Sequence, residues 1–235
     1  MFAVDLHAHT RFFHGRRRLG DRFDPYGLRA LALAARRRGL DAVATTNHDY
    51  CTRFRDVHGV RILPGIEIST TAGHLLVIGE DPPTETVPGE LTPERAVERT
   101  HDRDCAAVVA HPFRKSRLAD RTDLPYDAIE INGKHPRTRT HVERVAAEHR
   151  LPLVGGSDAH FPFEAGRAYT LIDADELTPS AVVAAIRDGR VEPRVSTGRL
   201  DRALRSGYER IHRYKHGRDP LQAAAASRAQ TSADE

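Results

Sequence analysis

A chain of 235 residues is long enough for one large domain or one α/β barrel. Hydrophobic residues make up 39% and charged residues 29%, the balance of a globular core under a solvated surface, and no run approaches the roughly 18 apolar residues of a membrane-spanning helix. The 36 basic and 33 acidic residues leave a formal charge of only +3, which permits anionic substrates without demanding nucleic acid.

The chain opens on Phe2-Ala3-Val4-Asp5-Leu6-His7-Ala8-His9, a predicted strand over 2–6 that delivers a His-x-His pair. Residues i and i+2 of a strand share a face, so the two imidazoles converge on one point. A helix is predicted over 25–38, with Asp24 as cap, Pro25 in the first turn and Gly39 as stop. Strands follow at 42–46, 61–68 and 74–78, then a helix over 92–102 opened by Thr92-Pro93. Strands at 106–110 and 128–131, a helix over 137–148, strands at 153–156 and 168–172, and a helix over 179–188 complete the pattern. Alternating β and α elements argue for a largely parallel sheet with helices outside it.

Beyond residue 195 the composition changes. Leu200, Leu204, Tyr208 and Ile211 follow helical spacing while Arg202, Arg205, Arg210 and Arg213 take other faces, so 196–218 reads as a basic amphipathic helix packed on the barrel exterior. The run 219–235 is rich in Ala, Ser, Gln and acid and reads as a disordered tail. The N-terminus lacks the pattern of a signal peptide, and two cysteines, Cys51 and Cys105, are too few for a disulfide framework. The expectation is a cytoplasmic protein with reduced thiols, no membrane partner, and any metal held by His and carboxylates.

Those ligands recur at strand ends. In chain order they are His7, His9, His14, His48, Glu67, His74, His111, Asp158 and His160. Ala42-Val-Ala-Thr-Thr46 runs into Asn47-His48-Asp49, Ile66 and Ile68 flank Glu67, Ala106-Ala-Val-Val-Ala110 delivers His111, and Leu153-Val-Gly-Gly-Ser157 delivers Asp158-Ala159-His160. Apolar strands that each end in a ligand are what a barrel site requires, because strand C-termini and the following loops build one pocket. A single His at a strand end is more often a hydrogen-bonded structural residue, but nine such coincidences at one end of one sheet are not. Arginine forms most of the basic set, and its fork suits phosphate. Arg114, two residues after Pro112, and Lys134 and Arg16, which follow predicted strands or ligand loops, are the candidate substrate contacts.

The ordered motifs resemble the PHP (polymerase and histidinol phosphatase) superfamily. The matching pieces are Asp5-Leu-His-Ala-His9, Thr46-Asn-His-Asp49, Pro64-Gly-Ile-Glu67, Gly73-His74, Ala110-His-Pro112 and Gly156-Ser-Asp-Ala-His160, over about residues 1–175. The resemblance implies a distorted (β/α)7 TIM-like barrel over 1–195, two or three divalent metals (Mn, Zn or Fe) and phosphoester hydrolysis. It implies one metal on His7, His9, Glu67 and Asp158, a second on Glu67, His74 and His111, and a third on His14, His48 and His160. Two positions depart from the family: Phe13-His14-Gly15 stands where Ser-Asp-Gly is frequent, and Asn47 replaces the more usual Asp before His48.

The expected reaction is attack on phosphorus by a metal-bridging hydroxide, with Glu67, Asp158 and His160 as catalytic residues. The leading substrate is a small phosphomonoester such as histidinol phosphate, a sugar phosphate or a nucleotide. A nuclease or a phosphodiesterase acting on cyclic or bis-phosphate nucleotides, a catalytically silent metal-binding module, and a metal-dependent amidohydrolase are the alternatives, since a fold does not fix a reaction.

Overall fold

The computed structural model describes residues 1–11, 17–114, 116–121, 123–196 and 198, the side chains of 17–23 and 136 excepted. The expected basic helix, the expected tail, His14 and Arg16 lie outside the described residues or side chains.

Among the described residues nine strands and four α-helices alternate. They are β1 (Phe2–Ala8), α1 (Arg17–Arg37), β2 (Ala42–His48), β3 (Arg61–Thr70), β4 (Gly73–Ile78), α2 (Pro93–His101), β5 (Ala106–Val109), β6 (Ala128–Asn132), α3 (Arg139–His149), β7 (Leu153–Gly156), β8 (Ala168–Ile172), α4 (Pro179–Arg187) and β9 (Val191–Val195). Caps work as the sequence suggests at α2 and α4. The Thr92 hydroxyl accepts the Arg95 N–H at 3.4 Å, and the Thr178 hydroxyl accepts the Ala181 N–H at 3.2 Å. The start of α1 differs from expectation. The helix begins at Arg17 and carries Pro25 inside it. Asp24 is not its cap, because its carboxylate takes the Thr10 hydroxyl and, at 3.4 Å, the Tyr50 hydroxyl.

One mixed sheet runs in the order β7-β6-β5-β4-β3-β2-β1-β8-β9. The pairs β1–β2, β2–β3, β5–β6 and β6–β7 are parallel, while β3–β4, β4–β5, β1–β8 and β8–β9 are antiparallel. The expected largely parallel sheet is therefore corrected to a mixed one. The connection from Thr70 to Gly73 is too short for a crossover, which needs a dozen residues or more, so β4 must fold back on β3. That reversal has a use: it brings the start of β4, with His74, to the end of the sheet where β3 finishes, Ser69 opposite His74.

The sheet nearly closes on itself as a barrel. A parallel bridge joins Ala8 to Ala159 beyond β7, and the Thr170 hydroxyl of β8 bonds both the N–H (2.8 Å) and the C=O (3.0 Å) of Gly155. Alternate residues divide the core. Val4, Leu6, Ala44, Leu63, Leu76 and Val108 pack together with Val182, Val183 and Ile186 of α4, which plugs the apolar end of the barrel. The opposite faces of the strands carry α1 on one side and α2 and α3 on the other. Among the described residues no helix is long and apolar enough to cross a membrane.

Candidate metal centre

Glu67 lies on the same alternation as Leu63 of β3, so the strand that supplies the apolar floor also aims a carboxylate at the polar end. It is fully buried and sits among five imidazoles. Its Oε1 is 2.7 Å from His74 Nδ1 and 2.9 Å from His111 Nε2. Its Oε2 is 3.1 Å from His48 Nδ1, 3.2 Å from His7 Nε2 and 3.4 Å from His9 Nε2. Asp158 closes the other side, with Oδ1 3.3 Å from His9 Nε2 and 3.2 Å from His160 Nδ1. Eight of the nine candidate ligands thus meet at one end of the barrel; the ninth, His14, lies outside the described residues.

Among the described residues, four overlapping trios have their ligand atoms within 4.8 Å of one another: His7, His9 and Asp158; His7, Glu67 and His111; His48, Glu67 and His74; His9, His48 and His160. Nitrogen-rich sets with carboxylates fit Zn, Mn or Fe better than an all-oxygen cage. The local chemistry fits a cation as well. His9 Nε2 is buried, makes no hydrogen bond, and lies between two carboxylate oxygens. Burial and the neighbouring His160 keep His9 well below the usual imidazole range, so it is neutral and able to ligate. Burial pushes His48 down to about 4 against the pull of Glu67. Burial opposes ionisation of Glu67, but His48 and His7 outweigh it and hold the carboxyl well below the usual range. Asp158 is likewise held low, its burial overcome by Lys134 and by the adjacent His160 and His9.

A second layer fixes these side chains. Glu130 was not among the sequence candidates, yet it is fully buried and its Oε1 lies 2.8 Å from His7 Nδ1. Its Oε2 accepts the His111 backbone N–H at 2.7 Å and the Asn132 amide at 3.1 Å. The available signal was its setting in Ile129-Glu130-Ile131, the same setting as Glu67. Asp5 clamps the loop that carries Asp158, accepting the backbone N–H groups of Ser157 (2.9 Å), Gly166 (2.8 Å) and His7 (3.2 Å). Asp49, His111 and Asp158 all adopt positive φ (58°, 26° and 53°), sparsely populated conformations for residues other than glycine.

Asn47 also finds its reason. Its amide donates to the Thr10 hydroxyl at 2.9 Å, while its Oδ1 accepts the backbone N–H groups of Thr10 (2.9 Å) and Arg11 (3.4 Å). Because the Thr10 hydroxyl donates to Asp24, it has only acceptor capacity left, which an amide satisfies and a carboxylate cannot.

The two described substrate-contact candidates flank Asp158. Arg114 Nη1 is 3.2 Å from Asp158 Oδ2, and Lys134 Nζ is 3.5 Å from Oδ1 and 2.7 Å from His160 Nδ1. Arg114 stays half-exposed; Lys134 is mostly buried.

Such a cluster, in such a barrel, is a histidine-rich set of residues that could hold metal on a distorted α/β barrel. Residues 136–191, from the turn before α3 to the start of β9, match the family model described as PHP-associated. An uncharacterized protein of Methanocaldococcus jannaschii is 28% identical over 148 residues, covering 57% of this chain and 83% of that protein. Among solved structures, PsfC from Pseudomonas syringae PB-5123 superposes with a TM-score of 0.64 at 18% identity, covering 91% of this chain and 98% of PsfC. A two-domain Bacteroides vulgatus protein described as containing a predicted PHP-like metal-dependent phosphoesterase gives 0.57 at 21% identity, covering 88% and 69%. The lesion-specific endonuclease EndoQ of Pyrococcus furiosus gives 0.56 at 20% identity, covering 80% of this chain and 56% of the endonuclease. The chain is thus similar in fold to these proteins, and its residues 136–191 match a PHP-associated family model.

Proposed function

We propose that this chain is a metal-dependent phosphoesterase that hydrolyses a small phosphomonoester such as histidinol phosphate, a sugar phosphate or a nucleotide. The observation that carries the reading is the buried convergence of His7, His9, His48, Glu67, His74, His111, Asp158 and His160 with Lys134 and Arg114 at its rim. His7, His9 and Asp158 would hold one cation, Glu67 would be shared with His74 and His111, and His48 and His160 would serve a further one. When bound, divalent cations polarise phosphoryl oxygens and acidify water toward neutrality.

The chain's own residues supply the rest. Arg114 and Lys134 counter the charge of the phosphate and orient it against Asp158. Lys134 Nζ donates to His160 Nδ1, which would leave the other ring nitrogen of His160 for the cation. Glu130 and Asp5 keep His7 and the Asp158 loop in register, so little reorganisation is left for the reaction itself. The neighbouring cleft is lined by His9, Arg11, Asn47, His48 and Tyr50.

The test is phosphate release from a panel of phosphomonoesters with Mn²⁺ or Zn²⁺, repeated with chelator. Chelator-sensitive release is expected, and His9→Ala or Asp158→Ala should lower it by more than the roughly 100-fold typical of outer-layer changes. Cleavage confined to oligonucleotides or phosphodiesters would move the assignment to a nuclease or phosphodiesterase. Tight metal binding without any hydrolysis would make the chain a silent metal-binding module.

A further inference from the structure

The cleft beside the metal centre has two walls that the catalytic reading leaves unused. One is Arg11, two residues after His9; the other is Tyr50, two residues after His48. The Arg11 guanidinium lies over the Tyr50 ring, 4.2 Å from its centroid, a cation–π contact. Both walls are anchored. Asn47 Oδ1 accepts the backbone N–H groups of Thr10 and Arg11, which fixes the chain where Arg11 leaves it. Tyr50 forms an isolated antiparallel bridge with Glu85, flanked by Cys51 N–H to Thr84 C=O at 2.9 Å and Thr86 N–H to Asp49 C=O at 3.0 Å. Asp49 itself is pinned by the Ser69 N–H (2.9 Å) and by the hydroxyls of Ser69 (2.7 Å) and Thr86 (2.9 Å).

A guanidinium held over an aromatic ring loses little further rotamer freedom on binding, and its planar fork matches an oxyanion. The cleft is shared with His9 and His48, so a molecule whose phosphate reaches the centre presents its next few atoms to this pair. We propose that Arg11 and Tyr50 form a specificity subsite for a second, non-reacting oxyanion of the substrate, a carboxylate or phosphate a few bonds from the scissile group. This deepens the phosphoesterase reading and rests on it for the word substrate, but the subsite itself is testable by binding alone.

The probes are non-hydrolysable pairs that differ in one carboxylate: 3-phosphonopropionate against propylphosphonate, and 4-phosphonobutyrate against butylphosphonate. Isothermal titration to the manganese-loaded 235-residue chain gives the affinity ratio within each pair. For at least one chain length the carboxylated member should bind wild type ten times tighter or more. In Arg11→Gln and in Tyr50→Leu the ratio should fall to near one, and Tyr50→Phe, which keeps the ring, should restore it. Thermal melts of each variant check that the fold persists. A ratio near one in wild type at both lengths overturns the subsite, as does a ratio that survives Arg11→Gln, since the carboxylate is then held by the metals. An Arg11-dependent ratio without turnover of any ester leaves the subsite standing and removes the phosphoesterase reading; turnover without a ratio does the reverse.

Discussion

An imidazole offers a lone pair to a cation only from the nitrogen that carries no proton, so the partner of its other nitrogen decides which way it works. At His7 that partner is Glu130, whose Oε1 holds the proton on Nδ1 and leaves Nε2 facing Glu67 and Asp158. Burial works against a cationic His7, yet Glu130 and Glu67 overcome it and lift its pKa well above the ordinary value. Glu130→Gln keeps the shape but removes the charge and lets the amide present either a donor or an acceptor. The variant should bind Mn²⁺ or Zn²⁺ roughly 10–100-fold more weakly, read by competition with a chelating dye. Unchanged affinity would show that His7 is oriented by packing alone. The histidines were legible in the sequence because each follows an apolar strand, and Glu67 because it interrupts one. Glu130 interrupts one just as plainly, but no histidine stands beside it in sequence; its partner His7 is 123 residues away. Arg11 and Tyr50 were hidden for the same reason, since each looks like motif flank until the two loops are brought together.

At the scale of elements, the eight strands expected from the pattern all form, within a residue or two at most ends. The errors have local causes. Strand β9 went unread because Pro193 interrupts Val191-Glu192-Pro193-Arg194-Val195; it is tolerated because, among the described residues, β9 is the last strand of the sheet and pairs only with β8. The reach of α1 back to Arg17 was unread because Asp24-Pro25 is an ordinary start signal, here spent on Thr10 and Tyr50 instead. Closure could not be read at all. It depends on Gly155, where a Cβ would stand 2.4 Å from the Tyr169 carbonyl oxygen and 2.9 Å from its carbon, both backbone atoms that cannot swing away. Gly155→Ala must therefore push β7 off β8 and strain the Thr170 bonds to Gly155. The expected loss is about 2 kcal/mol or more in urea unfolding, at the upper side of overpacking effects. A loss under ~0.5 kcal/mol would mean that β7 and β8 are not held against each other.

The whole molecule divides across its barrel axis into an end that holds itself together and an end that does not. At the α4 end, aliphatic side chains from most of the strands meet. At the other end, Glu67, Glu130 and Asp158 are buried with His7, His9 and His111, a concentration of ionisable groups that costs free energy unless opposite charge is supplied among them. The residues that meet there come from β1, β2, β3 and β4 and from the segments after β5 and β7, so a cation bound among them ties distant parts of the chain into one unit. Metal binding should then appear as folding stability. Free metal at 100 times its dissociation constant adds about 2.7 kcal/mol, and for a protein of this length each kcal/mol is worth roughly 2–4 °C in Tm. Exhaustive chelation should therefore lower Tm by about 5–10 °C, and adding back Mn²⁺ or Zn²⁺ should restore it in a concentration-dependent way. Asp158→Ala should blunt that response, because it removes a ligand from the one trio that joins β1 to the segment after β7 through a carboxylate. A Tm indifferent to chelator and metal alike would mean that the buried carboxylates are balanced by Lys134, Arg114 and the imidazoles alone, and that the polar end of the barrel stands without a cation.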